Sequence, residues 1–141
     1  MPLRFLIIVP RVLGPLYGGL KNLSSGFYYN WGMTYARWGQ PAKAMWYLNR
    51  AAKLNAGNAQ IFYQRGLLFI AMGQTREAIS DFSAAINSNT HYMEAYLNRS
   101  LLYTLQGRHE EASRDVDSAV ALGANRPRAE NQIAELRNDS A

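Results

Sequence analysis

The sequence predicts an all-α fold built from stacked antiparallel helix pairs. Three observations lead there. Landmark residues recur every 34 positions between residues 25 and 126. Each 34-residue unit holds two amphipathic stretches split by a glycine. The chain has no cysteine among its 141 residues, 48% are hydrophobic and only 18% are charged. Its core must therefore come from apolar side chains rather than disulfides or a cysteine zinc site, and one domain is the expected size.

The first element, residues 1–24, lies outside the repeat. Leu6, Val9, Leu13, Leu16, Leu20 and Leu23 follow helical spacing. Pro10, Gly14, Pro15, Gly18 and Gly19 argue against one regular helix in water. A membrane-spanning helix is disfavoured because Arg11 breaks the apolar run before it reaches roughly 20 residues. A cleaved leader lacks a small-x-small cleavage site. Two other readings carry more weight than a leader: an extension packed on protein, and a peripheral membrane contact through residues 1–24, whose leucines, cations and Tyr17 suit a headgroup boundary.

Three segments then align without gaps: residues 25–58, 59–92 and 93–126. Gly39, Gly73 and Gly107 share one column, and Ala44, Ala78 and Ala112 another. Ala51, Ala85 and Ala119 form a third. Tyr35, Phe69 and Tyr103 are large throughout, as are Leu48, Phe82 and Val116. Gly32, Gly66 and Ser100 are small throughout. The glycines after the first stretch can end a helix in the left-handed conformation. Pro41 suits a first helical position, and Thr75 suits a cap. Small columns let two helices approach closely, and only stacked pairs bury the apolar faces.

This pattern resembles the tetratricopeptide repeat over residues 25–126, a 34-residue helix–turn–helix unit. The resemblance implies a right-handed α-solenoid that binds proteins and catalyses nothing. The sequence departs from the family where a proline usually closes each repeat. Ala56, Thr90 and Ala124 stand there, so those helix ends are expected to be less sharply set.

A charged pair also repeats. Arg65 and Asp81 are sixteen residues apart, as are Arg99 and Asp115. Each pair places one residue on the first helix of its unit and one on the second, and two structural ion pairs are expected. The same columns in the first unit hold Trp31 and Tyr47. Residues 127–141 complete the chain. Pro127 suits a first helical position, and Ala129, Ile133 and Leu136 form a narrow apolar stripe, so a capping helix and a frayed tail from Asp139 are expected.

Charge is uneven. Residues 1–58 carry seven basic side chains and no acid; all ten acids follow, with eight basic residues. A cationic front favours a partner of negative potential. All three tryptophans lie in the first repeat, at Trp31, Trp38 and Trp46, with Phe27, Tyr28, Tyr29, Tyr35 and Tyr47 around them. Trp38 and Trp46 fall outside the core columns, so at least one is expected at the surface, where such residues mark a protein interface or a membrane boundary.

No pattern for chemistry is present. His91 and His109 are isolated, Glu110 and Glu111 are adjacent rather than facing, and no phosphate loop, dinucleotide fingerprint or nucleophile elbow occurs. No cofactor and no metal are expected. The resemblance implies instead a concave groove lined by first helices. By column it assigns partner contacts to Tyr29, Asn30, Met33 and Arg37 in the first repeat, to which Trp38 is added as an exposed aromatic beside basic residues. The second supplies Tyr63, Gln64, Leu67 and Ile70, and the third Leu97, Asn98, Leu101 and Thr104. Asn30, Gln64 and Asn98 form an amide column suited to a peptide backbone. Some members hold a terminal carboxylate with lysine, arginine and asparagine, but those columns here hold Tyr29, Met33 and Glu94. The reading is a protein or peptide partner, apolar or helical, for a scaffold, assembly factor or accessory subunit. It is cytoplasmic, with a peripheral membrane site left open. The alternative is an electrostatic binder of anionic lipid or nucleic acid; nucleic acid ranks last because no motif supports it.

Overall fold

A computed structural model describes residues 9–139, with side chains described from residue 23 onward. The described residues form seven helices and no strand. They are α1 (Val9–Arg37), α2 (Pro41–Leu54), α3 (Ala59–Ala71), α4 (Thr75–Ser88), α5 (Met93–Leu105), α6 (His109–Ala121) and α7 (Arg126–Asp139). The chain divides after Ala56 into two compact units.

The first unit contains α1 and α2. The backbone is helical from Val9, through Pro15 and the glycines that the sequence reading takes as obstacles. Pro10 falls in the first turn, where its missing N–H has no acceptor to lose. Pro15 gives up one hydrogen bond. The rest extends a helix already nucleated on α2, and propagation is far cheaper than nucleation. The leucine seam from Leu6 to Leu20, the contacts of Tyr17 and the end of the tail lie outside the described side chains.

Two close contacts set the α1–α2 pair. A methyl group on Gly32 would stand 2.9 Å from Leu48, so only glycine fits there. The buried Ser25 hydroxyl donates to the Ala51 carbonyl at 3.0 Å. Residues 25 and 32 thus meet 51 and 48, an antiparallel arrangement. The turn between the helices is a Schellman motif. Gly39 has φ 67°, its N–H donates to the Ala36 carbonyl, and the Gln40 N–H donates to Tyr35 at 2.9 Å.

The second unit contains α3 to α7. The same turn recurs at Gly73 and Gly107, and again at Gly123 at the end of α6. Phe82 is fully buried at the centre of a cluster with Ala78, Ala85, Ile86, Ala95 and Leu102. A methyl group on Gly66 would stand 2.8 Å from its ring. Burial of such a ring contributes about 2–3 kcal/mol. In the third pair, Ser100 replaces the glycine and the smaller Val116 replaces the phenylalanine. Ser100 is buried and donates to the Leu97 carbonyl at 2.7 Å.

Helix starts differ from the sequence reading in two places. Thr75 is the first helical residue of α4 and not its cap; Gln74 holds the cap position without a side-chain bond. Pro127 is the second residue of α7, and the Asn125 side chain caps that helix by accepting from the Arg128 N–H at 2.9 Å. Pro41 begins α2. Where proline is missing between repeats, asparagines organise the turns: Asn58 accepts from the Gln60 N–H, and Asn89 from the His91 N–H, each at 3.0 Å.

Candidate interaction surfaces

The Arg–Asp columns lie across each helix pair of the second unit. Arg65 holds Asp81 through two bonds of 2.7 Å, and Arg99 holds Asp115 in the same bidentate way. Both carboxylates are buried. Each guanidinium also lies between two rings: Arg65 between Phe62 and Phe69, Arg99 between Tyr96 and Tyr103. Asp115 raises the affinity of Arg99 for its proton, chiefly through this hydrogen bond. Arg99 also donates to Ser83 on α4 at 2.8 Å, so this column faces the preceding helix pair. The geometry is that of a structural tie between the two helices of each pair, with each carboxylate held by two bonds from its arginine.

In the first unit the column is aromatic. Trp31 and Tyr47 have ring centroids 6.4 Å apart, and Tyr28 and Tyr35 flank them as Tyr96 and Tyr103 flank Arg99. Tyr35 stacks on Tyr47 at 5.2 Å. Trp46 meets both Tyr28 and Tyr47, and Trp38 meets Tyr35 edge-on. Trp38 and Trp46 are 61% and 56% exposed. Lys43 lies over Tyr35 and Arg50 over Tyr28. The Tyr47 hydroxyl is held above its ordinary titration range by desolvation first, then by Tyr35.

The groove residues divide between the two units. In the first, Asn30 and Arg37 are exposed, while Tyr29 and Met33 are half-buried. In the second, Tyr63, Leu97, Asn98 and Leu101 line a groove of about 360 Å³ together with Glu94, Arg128 and Gln132. Asn98 donates its amide to the Tyr63 hydroxyl at 3.0 Å, and Tyr63 stacks on Tyr92 at 4.8 Å. Burial pushes the Tyr63 phenol up, against the opposing pull of the Asn98 bond. Gln64 and Leu67 are half-buried and Ile70 is exposed, but none of these lines that groove.

One assignment needs correction. Thr104 is buried, with its hydroxyl bonded to the Ser100 carbonyl at 2.9 Å, so it offers nothing to a partner. Leu97 and Leu101 are partly engaged as well, since they pack on Ala129 and Ile133 of α7. Sequence reasoning missed the contribution of α7 to the groove, through Arg128 and Gln132. Their alternation with Ala129 and Ile133 was the available signal: a narrow-striped cap must turn other side chains elsewhere. Among the described residues, no group of three or more histidines and acids is placed to hold a metal ion, and no helix is long and apolar enough to cross a membrane.

Helix pairs joined by the same recurring turn, with a side-chain groove in the second unit, define a helical-repeat fold. The tetratricopeptide-repeat family model matches residues 25–58 and 59–92. Those two segments are tetratricopeptide repeats. Residues 93–126 fall outside the match yet keep its turn, at Gly107, and its Arg–Asp column. Among solved structures, the chain is similar to the TPR domain of Arabidopsis OM64, at 24% identity and a TM-score of 0.73 over 84% of this chain and 98% of that one. It is similar to a tetratricopeptide repeat protein from Parabacteroides merdae, at 23% identity and 0.76 over 83% of this chain and 47% of that one. It is also similar to the second TPR domain of human RPAP3 in complex with an HSP70 peptide, at 19% identity and 0.72 over 85% and 98%. At these identities the likeness establishes the tetratricopeptide solenoid fold. Comparison with curated proteins found no match.

Proposed function

We propose that this chain is a non-catalytic scaffold, an assembly factor or accessory subunit of a larger complex, that takes a peptide segment of a partner into the groove of its second unit. The observation that carries this reading is the groove itself. Tyr63, Leu97 and Leu101 supply apolar contact, while Asn98 and Gln132 supply amides able to bond a peptide backbone. Tyr63 takes only one of the four hydrogen-bonding positions of Asn98.

The RPAP3 domains similar to this chain are described with HSP90 and HSP70 peptides that end in Glu-Glu-Val-Asp. Here Glu94 stands in the groove, and the repeat columns that hold cations in carboxylate-binding members carry Tyr29 and Met33 in this sequence. The ligand is therefore an apolar or amide-rich segment rather than an acidic tail. The reading places its action in the cytoplasm as part of the same proposal, with any membrane contact assigned to residues 1–24 and the first repeat.

The test is co-purification from native-level tagged cells. Arg128→Glu and Gln132→Trp alter exposed groove residues and leave the core intact. Both are expected to lose the same set of partners that the unaltered chain retains. A chain that stays monomeric and partnerless in lysate and membranes contradicts the proposal.

A further inference from the structure

The outer face of the α1–α2 pair is finished differently from its counterparts. In the third repeat the column of Tyr96, Arg99 and Tyr103 is covered by α4, and Arg99 reaches Ser83 there. In the first repeat the same column is Tyr28, Trp31 and Tyr35. Trp31 is still 39% exposed, and Phe27 beside it is 57% exposed. End repeats of a solenoid normally show water a polar face. In the second unit the terminal helix α7 does so, with Glu130, Gln132 and Glu135 exposed. The aromatic end does not, and contiguous exposed apolar patches mark interaction sites.

Cations frame this face. Lys43 and Arg50 stand two turns apart on α2, about 10 Å along its axis. Between them lie Trp46 and Tyr47. At the Arg50 end, Ser24, Tyr28, Arg50, Lys53 and Leu54 line a recess of about 270 Å³. No acid occurs anywhere in residues 1–58. A second copy docking by the same face would set these cations against one another. A helix carrying carboxylates on either side of an apolar stripe would neutralise them.

We propose that this face is a docking site for an acidic amphipathic helix of a partner protein. The apolar stripe of that helix lies on Phe27, Trp31 and Tyr47. One carboxylate meets Lys43, and another, two turns along, enters the Arg50–Lys53 recess. The helix covers the aromatic column as α4 covers Arg99, and the charged ends fix its register. This deepens the scaffold reading by giving the first repeat its own partner chemistry, separate from the groove of the second unit.

The probe is a synthetic amphipathic helix with a leucine–phenylalanine stripe and two glutamates seven residues apart. A control peptide carries lysines in their place. All three tryptophans of the chain lie on this face or at its edge, so intrinsic fluorescence reports binding directly. A saturable blue shift with the acidic helix is expected, with binding about tenfold weaker for the lysine peptide and for the Lys43→Glu/Arg50→Glu variant. Circular dichroism of that variant should match the unaltered chain, because both side chains are exposed or rim groups. Arg128→Glu, in the groove of the second unit, should leave the titration unchanged. Equal binding of both peptides, or none, overturns the proposal. So does a shift with phosphatidylserine vesicles but not with peptide, which assigns the face to lipid, or self-association in sedimentation that the charge-reversal variant does not abolish. Loss in Arg128→Glu alone also overturns it while leaving the groove reading standing.

Discussion

Trp31 packs on Tyr47 in the first helix pair at the two columns where Arg99 holds Asp115 in the third. The two arrangements are alternative solutions to one packing problem, each flanked by the same pair of rings. Tyr47→Asp alone should destabilise the chain, because it sets a carboxylate among aromatics. Adding Trp31→Arg should restore stability, with a coupling on the order of 1–2 kcal/mol in a double-mutant cycle. Urea unfolding measures it. Additive effects would show that the columns do not exchange as units.

Gly66 and Phe82 make a tighter exchange. Gly66→Ala places a methyl group 2.8 Å from a fully buried ring, and should cost about 1–3 kcal/mol. The third repeat carries an alternative, since Ser100 and Val116 occupy the same two columns there and both are buried. Gly66→Ser with Phe82→Val should recover part of the loss. Thermal unfolding of the single and double variants decides this.

Removing one half of a buried ion pair is worse than removing both. Asp115→Ala leaves the Arg99 guanidinium, only 17% exposed, without its carboxylate, and should cost about 3 kcal/mol. Arg99→Met with Asp115→Leu should cost much less, because the two rings and Ser83 would then border an apolar side chain. A double variant as unstable as the single one would contradict this.

Tyr63 gives a prediction in alkali. Burial, with a smaller contribution from Glu94, raises its phenol above the ordinary 10.0, while the Asn98 bond lowers it. The folded value exceeds the unfolded one, so the contribution of Tyr63 to stability is complete below about pH 10. It is lost as pH rises through the folded value. Phenolate absorbance should show Tyr63 titrating late, and Asn98→Ala should delay it further by removing the donor that favours phenolate.

Much of the fold was readable because it is periodic. A helix pair of fixed length repeats its turn glycine, its small residues and its large residues, and every column then reports one contact three times. The N-terminal part was not readable in this way. Pro15 and three glycines, Gly14, Gly18 and Gly19, lower helix propensity locally, yet the backbone is carried on from a helix already anchored by Ser25 and Gly32. Nor did the columns separate groove from core in the third repeat. Thr104 shares a column with exposed Ile70, but Thr104 is short enough to be buried and to bond its own helix. Leu97 and Leu101 look outward by column and are partly claimed by α7, whose place no repeat column specifies.

The central claim is that the groove of the second unit holds a protein segment. A photo-crosslinking amino acid at Gln132, which is exposed and lines the groove, tests it in living cells. Glu77, exposed and outside the groove, serves as the control position. A discrete protein adduct from residue 132, absent from residue 77 and lost with Arg128→Glu, is the predicted result. No adduct above control, or equal adducts from both positions, would contradict it.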